Sequence, residues 1–158
     1  MRLLTVFAIV LLMAPGVSAA MGEREGWRVL NTDQSYSELL DSLRTAVNAE
    51  EMGIVTDVGP TRTAARRGEE IPGNRVIGVF RNDFAVRALR ASEPAMIEAP
   101  IRFYVTENDD GTATLSWKKP SFVFAPYFDD GGQELREVAT ELDGIFSEIG
   151  ERAARAAQ

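Results

Sequence analysis

The stretch Arg75–Pro120 constrains the fold of this chain more than any other part of its sequence. Two runs within it, Ile101–Glu107 and Thr112–Lys118, alternate apolar and polar residues, which is typical of strands with one buried face. Gly111 lies in the short turn between them, where glycine readily adopts the left-handed conformation that a tight hairpin needs. The sequence therefore predicts an antiparallel hairpin, and the continuous apolar run Arg75–Phe80 predicts a preceding strand buried on both faces.

Two longer segments have the periodicity of amphipathic helices. Ser35 and Glu38 have the spacing of a capping box, which predicts the start of the first helix, and we expect Gly53 to end it. The second helix is predicted for residues 132–156, with a polar tail beyond Gly150 that we expect to fray. Apolar residues recur at intervals of three and four in both helices: Tyr36, Leu39, Leu40, Leu43, Ala46 and Val47 in the first, and Leu135, Val138, Ala139, Leu142, Ile145, Phe146 and Ile149 in the second.

Shorter elements complete the order along the chain. Strands are predicted for residues 26–31 and 54–58, and a polar surface helix for residues 61–70. Asn82 is expected to cap a short helix that ends before Pro94. Its apolar face comprises Phe84, Ala85, Ala88 and Leu89. The order is strand, helix, four strands, helix, with two short helices around the third strand, which indicates an α+β domain with a mainly antiparallel sheet.

The first twenty residues have the layout of a secretory signal peptide. Arg2 precedes an apolar run, Leu3–Met13, and a segment of small residues follows it, which predicts cleavage after Ala19 or Ala20. The alternative is an uncleaved membrane anchor, but the run is shorter than the roughly 20 residues that cross a bilayer. We therefore expect a periplasmic or secreted protein in which residues 21–158 form a single domain with no membrane attachment.

The composition excludes several classes of function. The chain has no Cys and no His, so no disulfide framework is expected, nor any Ser–His or Cys–His nucleophile arrangement or ordinary transition-metal site. The net charge of −7, which becomes −8 when Arg2 is removed with the leader, opposes nucleic-acid binding because such binding depends on neutralising phosphates. We expect no cofactor and no metal site.

Several short motifs resemble the domain of unknown function 302 family. They are Gly53-Ile54-Val55, Val76–Asn82, Ala85–Leu89, the Ala99-Pro100 step before strand 101–107, and Lys119-Pro120. The similarity covers residues 35–120. It implies a curved sheet similar to the TATA-box-binding-protein-like group, with two long helices packed on the sheet, a dimer, and no established activity.

The chain departs from the family pattern at three positions. Asp83 stands where many members have proline, and Phe80 and Ile101 stand where many have cysteine. Any thiol or metal role of those cysteines would not carry over to this chain.

Candidate ligand-binding residues cluster near the end of the hairpin. Tyr104, Trp117 and Lys119 lie there, with Lys118 beside them, although an ordinary polar strand end also accounts for the lysines. The segment 120–128 follows, which we expect to be a loop whose aromatic residues pack on the core, line a groove or form a dimer contact: Phe122, Phe124, Tyr127 and Phe128. Asn82 lies at a strand–helix junction where backbone amides bind anions, and helix capping is its other explanation.

The pairs Asp109-Asp110 and Asp129-Asp130 lack the alternating spacing of a calcium loop, so turn formation and helix initiation explain them. The leading hypothesis is a non-catalytic exported homodimer that binds a small or apolar ligand or a protein partner. The alternative is a hydrolase that uses carboxylates and lysines, with Glu98 and Lys119 as candidates. Nucleic-acid binding on the sheet rests on fold analogy alone, and both the charge and the leader oppose it.

Overall fold

Five antiparallel strands form one curved, open sheet in the order β1-β5-β4-β3-β2. The structure is a computed structural model of the chain, and it describes residues 21–156, so the predicted leader lies outside the described residues. The strands are β1 (Trp27–Ser35), β2 (Gly53–Val58), β3 (Asn74–Phe80), β4 (Ile101–Glu107) and β5 (Thr112–Lys118). The helices are α1 (Tyr36–Ala49), α2 (Thr61–Ala65), α3 (Asn82–Ala91), α4 (Pro120–Phe124) and α5 (Phe128–Arg155), with 3-10 turns at Pro94–Glu98 and Ala125–Tyr127.

The core lies between one face of the sheet and the long helices α1 and α5. The predicted alternation holds, because Phe103 of β4 and Trp117 of β5 are both buried on this face. Phe146 of α5 stacks on Phe103, with ring centroids 4.7 Å apart and planes 12° from parallel. The α+β class, the order of elements and the packing of both long helices on the sheet are therefore as the sequence predicts.

Local signals at the turns and caps also held in two places. Ser35 and Glu38 form the predicted capping box, in which the Glu38 carboxylate accepts from the Ser35 backbone N–H at 2.9 Å and the Glu38 N–H donates to Ser35 Oγ. Gly111 has the expected positive φ, 83°. The hairpin register pairs Phe103 with Trp117 and Tyr104 with Ser116.

Three predictions at element boundaries were wrong. The positive φ that ends α1 belongs to Glu51, at 57°, whereas Gly53 is the first residue of β2. Asn82 is the first residue of α3, and the N-cap is Arg81. Leu89 is 48 % exposed because the buried face of α3 narrows to Phe84 and Ala88.

The lengths of several elements also differ from the sequence prediction. β1 continues to Ser35, and α2 is only five residues long. Burial of β3 on both faces holds only at Ile77–Val79, since the sheet face opposite the long helices carries no helix over Val76.

The C-terminal part of the chain is more ordered than predicted. The expected aromatic loop instead contains α4 and a 3-10 turn. α5 begins at Phe128 and breaks at Gly132, which has φ 56° and ψ −145°. The end of α5 does not fray, because Gln34 of β1 donates to the carbonyl of Ala153 at 2.8 Å and Ala153 itself is fully buried.

Candidate functional site

The face of the sheet opposite α1 and α5 carries two rows of side chains that run across the strands. The first row contains Trp27, Lys118, Arg102, Gly78 and Thr56, and the second contains Val29, Ser116, Tyr104, Val76 and Val58. Strand residues two apart share a face, so neighbouring rows are about 7 Å apart. We call this surface the open face.

A hollow of about 460 Å³ occupies one end of the open face. Trp27, Val76 and Tyr104 provide its aromatic and apolar lining, and Arg102 and Lys118 provide its positive charge. Its size is within the roughly 300–1,000 Å³ of small-molecule sites. Glu98 and Val123 lie at its rim.

The two cations of the hollow are cross-strand neighbours. Arg102 lies one residue beyond the Phe103–Trp117 pair and therefore opposite Lys118, on the same face. Like charges in this arrangement repel, yet among residues 21–156 neither side chain has an ion pair. Elsewhere in the described chain, arginines such as Arg87, Arg44 and Arg75 contact carboxylates.

Trp27 increases the concentration of positive charge at this end. The Lys118 Nζ lies 5.7 Å from the centroid of the indole, and the guanidinium carbon of Arg24 lies 5.9 Å from it. Both distances are within reach of a cation–π interaction. The ring of Trp27 is thus already engaged by two cations of the chain itself.

Tyr104 is held in place by its neighbours on the open face. Asn74 donates from Nδ2 to the Tyr104 hydroxyl at 2.5 Å. Asn74 also borders a second, more polar hollow of about 370 Å³, where Met21 and Arg24 face Glu107. The hydrogen bond therefore lies where the two hollows meet.

The rim of the hollow is fixed by contacts from α4 and the following turn. Tyr127 donates its hydroxyl to Glu98 Oε1 at 2.9 Å, and this hydrogen bond raises the pKa of Tyr127. Asp143 of α5 accepts from the backbone N–H of Ser121 at 2.9 Å and from its hydroxyl. These contacts anchor α4 to α5 beside the hollow.

A separate apolar cleft lies at the junction of α3, β3 and α5. Phe80, Phe84, Met52 and Met96 line it together with Phe124. Its volume is about 40 Å³, which is little more than a water molecule requires and far below the size of a ligand site. We interpret it as a packing defect of the core margin.

The structure separates the residues that the sequence singled out. Of these, only Tyr104 and Trp117 border the hollow, and Trp117 is 1 % exposed because its ring points into the core. Phe124 is buried, and Tyr127 reaches the rim through Glu98. Three predicted residues are exposed and lie outside the hollow: Asn82, Lys119 and Phe122.

Sequence reasoning missed Trp27 and Arg102 as site residues. The alternation of β4 was the available signal, because it places Arg102 on the same face as Tyr104. Trp27 could not be added without the pairing of β1 with β5, whose residues are far apart in sequence.

The described residues do not assemble an obvious catalytic or metal site. Within residues 21–156, no group of three or more acidic residues could hold a metal ion. No hydrogen bond or ion pair joins Glu98 to Lys119, and Glu98 is engaged by Tyr127 instead. In the same part of the chain no helix is long and apolar enough to span a membrane.

The geometry defines an α+β domain in which helices cover one face of an antiparallel sheet and leave the other open. The chain belongs to the family described as domain of unknown function DUF302, whose model matches residues 28–149. It is similar in fold to a solved structure, the uncharacterized conserved protein DUF302 from Bacillus stearothermophilus. That match has a TM-score of 0.72 at 16% sequence identity and covers 82% of this chain and 99% of the other. No match was found among curated proteins.

Proposed function

We propose that this chain is a non-catalytic binding domain, exported to the periplasm or secreted, whose ligand site is the hollow on the open face. The observation that carries the proposal is the hollow itself, where Trp27, Val76 and Tyr104 remain uncovered beside two cations without ion pairs in the described chain. Apolar surface with a few convergent polar groups is the usual composition of a small-molecule site. The absence of His and Cys from the sequence favours binding over catalysis.

Chemical-shift mapping of the protein with a neutral apolar probe, 1-octanol, tests this proposal. We expect the largest shifts at amides of the open-face rows, around Tyr104 and Val76, and small shifts on the solvent side of α5. The Tyr104→Ala variant should weaken the shifts, because it removes the central aromatic surface. The matched control Tyr127→Phe removes only a rim hydroxyl and should leave octanol binding unchanged. Shifts confined to the apolar cleft near Phe84, or no binding at all, would contradict the proposal.

Export and dimerisation remain predictions with their own tests. The mass of the protein recovered from the periplasm should correspond to a chain that begins at Ala20 or Met21. A full-length mass in the cytoplasm would contradict export. Native mass spectrometry of the same material should show the homodimer, and a strictly monomeric species over a wide concentration range would contradict it.

A further inference from the structure

We propose that the ligand of the open-face hollow is an amphipathic anion, with a phosphate or carboxylate head and an apolar body. This inference rests on the proposed function and names the class of ligand for the same site. It derives from the placement of Arg102 and Lys118 relative to the aromatic and apolar row beside them.

The repulsion between Arg102 and Lys118 is the first argument. The two cations are opposite each other on adjacent strands, and no described carboxylate forms an ion pair with either. A like-charged cross-strand pair destabilises a sheet. A bound anion between the two side chains would replace this repulsion with two attractive contacts, and a guanidinium is suited to hold phosphate or carboxylate oxygens in pairs.

Local charge separates this site from the rest of the molecule. The chain as a whole carries a net charge of −7, whereas the hollow contains Arg102 and Lys118 against Glu98 alone. Glu98 accepts the hydroxyl of Tyr127 at the rim. The hollow is therefore a positive site on an acidic protein.

The position of the apolar row determines the shape of the ligand. Val76 and Tyr104 lie one row from the cations, about 7 Å along the strands. A head at Arg102 and Lys118 would therefore continue into an apolar body over Tyr104, with Trp27 at its side. A cationic ligand is disfavoured, because the indole of Trp27 already has Lys118 and Arg24 within 6 Å of its centroid.

Calorimetric titration with four probes of equal chain length tests the inference: octyl phosphate, octanoate, 1-octanol and octyltrimethylammonium. We expect at least one of the two anions to bind at least tenfold more tightly than octanol and the ammonium compound to bind most weakly. The comparison of octyl phosphate with octanoate identifies the head group. Inorganic phosphate alone should bind at least tenfold more weakly than octyl phosphate, since it lacks the apolar body.

Variants connect the effect to the two cations. The double variant Arg102→Gln/Lys118→Gln should lose at least tenfold in affinity for the preferred anion and keep its affinity for octanol. Arg102→Lys retains the charge and should retain most of the anion affinity. The matched control Lys119→Gln removes a neighbouring exposed charge outside the hollow and should have no effect. Thermal unfolding should show all three variants folded, because both cations are exposed.

The outcomes distinguish the two proposals. Equal affinity for octanol and both anions, or an unchanged anion affinity in the double variant, would overturn the anion inference and leave the binding site standing. Inorganic phosphate binding as tightly as octyl phosphate would overturn the apolar part. If none of the four octyl probes bound to the unmodified protein, both proposals would fail.

Discussion

Gly150 of α5 lies directly against the indole of Trp117 on β5. A Cβ on Gly150 would come within 2.2 Å of the Cη2 atom of the ring, and the ring is fixed because Trp117 is 1 % exposed and also contacts Phe103, with centroids 5.4 Å apart. Glycine inside a helix costs roughly 0.5–1 kcal/mol relative to alanine. The close approach of helix and sheet explains why α5 has glycine at this position.

Gly150→Ala should lower the free energy of unfolding by about 1–3 kcal/mol, because the added methyl group overpacks a core that cannot move aside. Gly144→Ala is the matched control, since a Cβ there would meet nothing within 4 Å, and it should stabilise α5 by about 0.5–1 kcal/mol. Urea denaturation measures both changes. An unfolding free energy of Gly150→Ala equal to that of the unmodified protein would show that the indole does not limit the helix position.

Gln34→Ala should release the last turn of α5. The Gln34 amide donates to the carbonyls of Ala153 and Ala154 at 2.8 and 3.3 Å and accepts from Ser42 at 2.7 Å. Leaving such groups without partners in a buried site costs about 1–3 kcal/mol. Amide hydrogen exchange should become faster in residues 150–155.

The exposed control for this experiment is Gln133→Ala, which removes a hydrogen bond to Glu137 at 3.0 Å on the surface of α5. It should leave exchange at the end of α5 unchanged. Identical exchange in the two variants would mean that the end of the helix is held by its apolar contacts alone.

The contrast between Trp117 and Gln34 shows which parts of the fold the sequence carries. The alternation of β5 places Trp117 on the buried face, and the stripe on α5 predicts the surface that covers it. The hydrogen bond from Gln34 joins residues 119 positions apart, and no local pattern encodes such a contact. The same limit explains the predicted fraying beyond Gly150, which the structure contradicts.

The candidate site was predictable only in part, for the same reason. Tyr104 and the lysine pair come from the local pattern of the hairpin, but the row that joins Trp27, Lys118 and Arg102 depends on the pairing of β1 with β5 and of β5 with β4. Compositional reasoning favoured the aromatic segment instead. Its residue Phe124 is needed for the core, and Phe122 packs over Gly26, where a Cβ would come within 2.2 Å of the ring.

The stability of the protein should depend on Glu141 at acidic pH. Arg87 donates two hydrogen bonds to Glu141, each 2.9 Å long, and these lower the pKa of Glu141 below its ordinary value of 4.5. A carboxylate whose pKa is lower in the folded state stabilises the protein above its unfolded-state pKa. This contribution is lost as the pH falls through the folded-state value, and because the pair is exposed to solvent it should be below about 1 kcal/mol.

Denaturation of Glu141→Gln and of the unmodified protein, at neutral pH and at several values below 4.5, measures this contribution. The stability difference should be present at neutral pH and disappear in acid. Glu148→Gln, on the same helix, is the control and should show no such dependence. A difference that grew as the pH fell would contradict the assigned direction of the pKa.

The account's central claim is that the open face is the binding surface, and a crystal structure of the protein with octyl phosphate tests it most directly. We predict that the phosphate lies within hydrogen-bonding distance of the Arg102 guanidinium and the Lys118 amine, with the alkyl chain over Tyr104 and Val76. Density for the alkyl chain in the apolar cleft beside Phe84, or a phosphate bound away from both cations, would contradict the account.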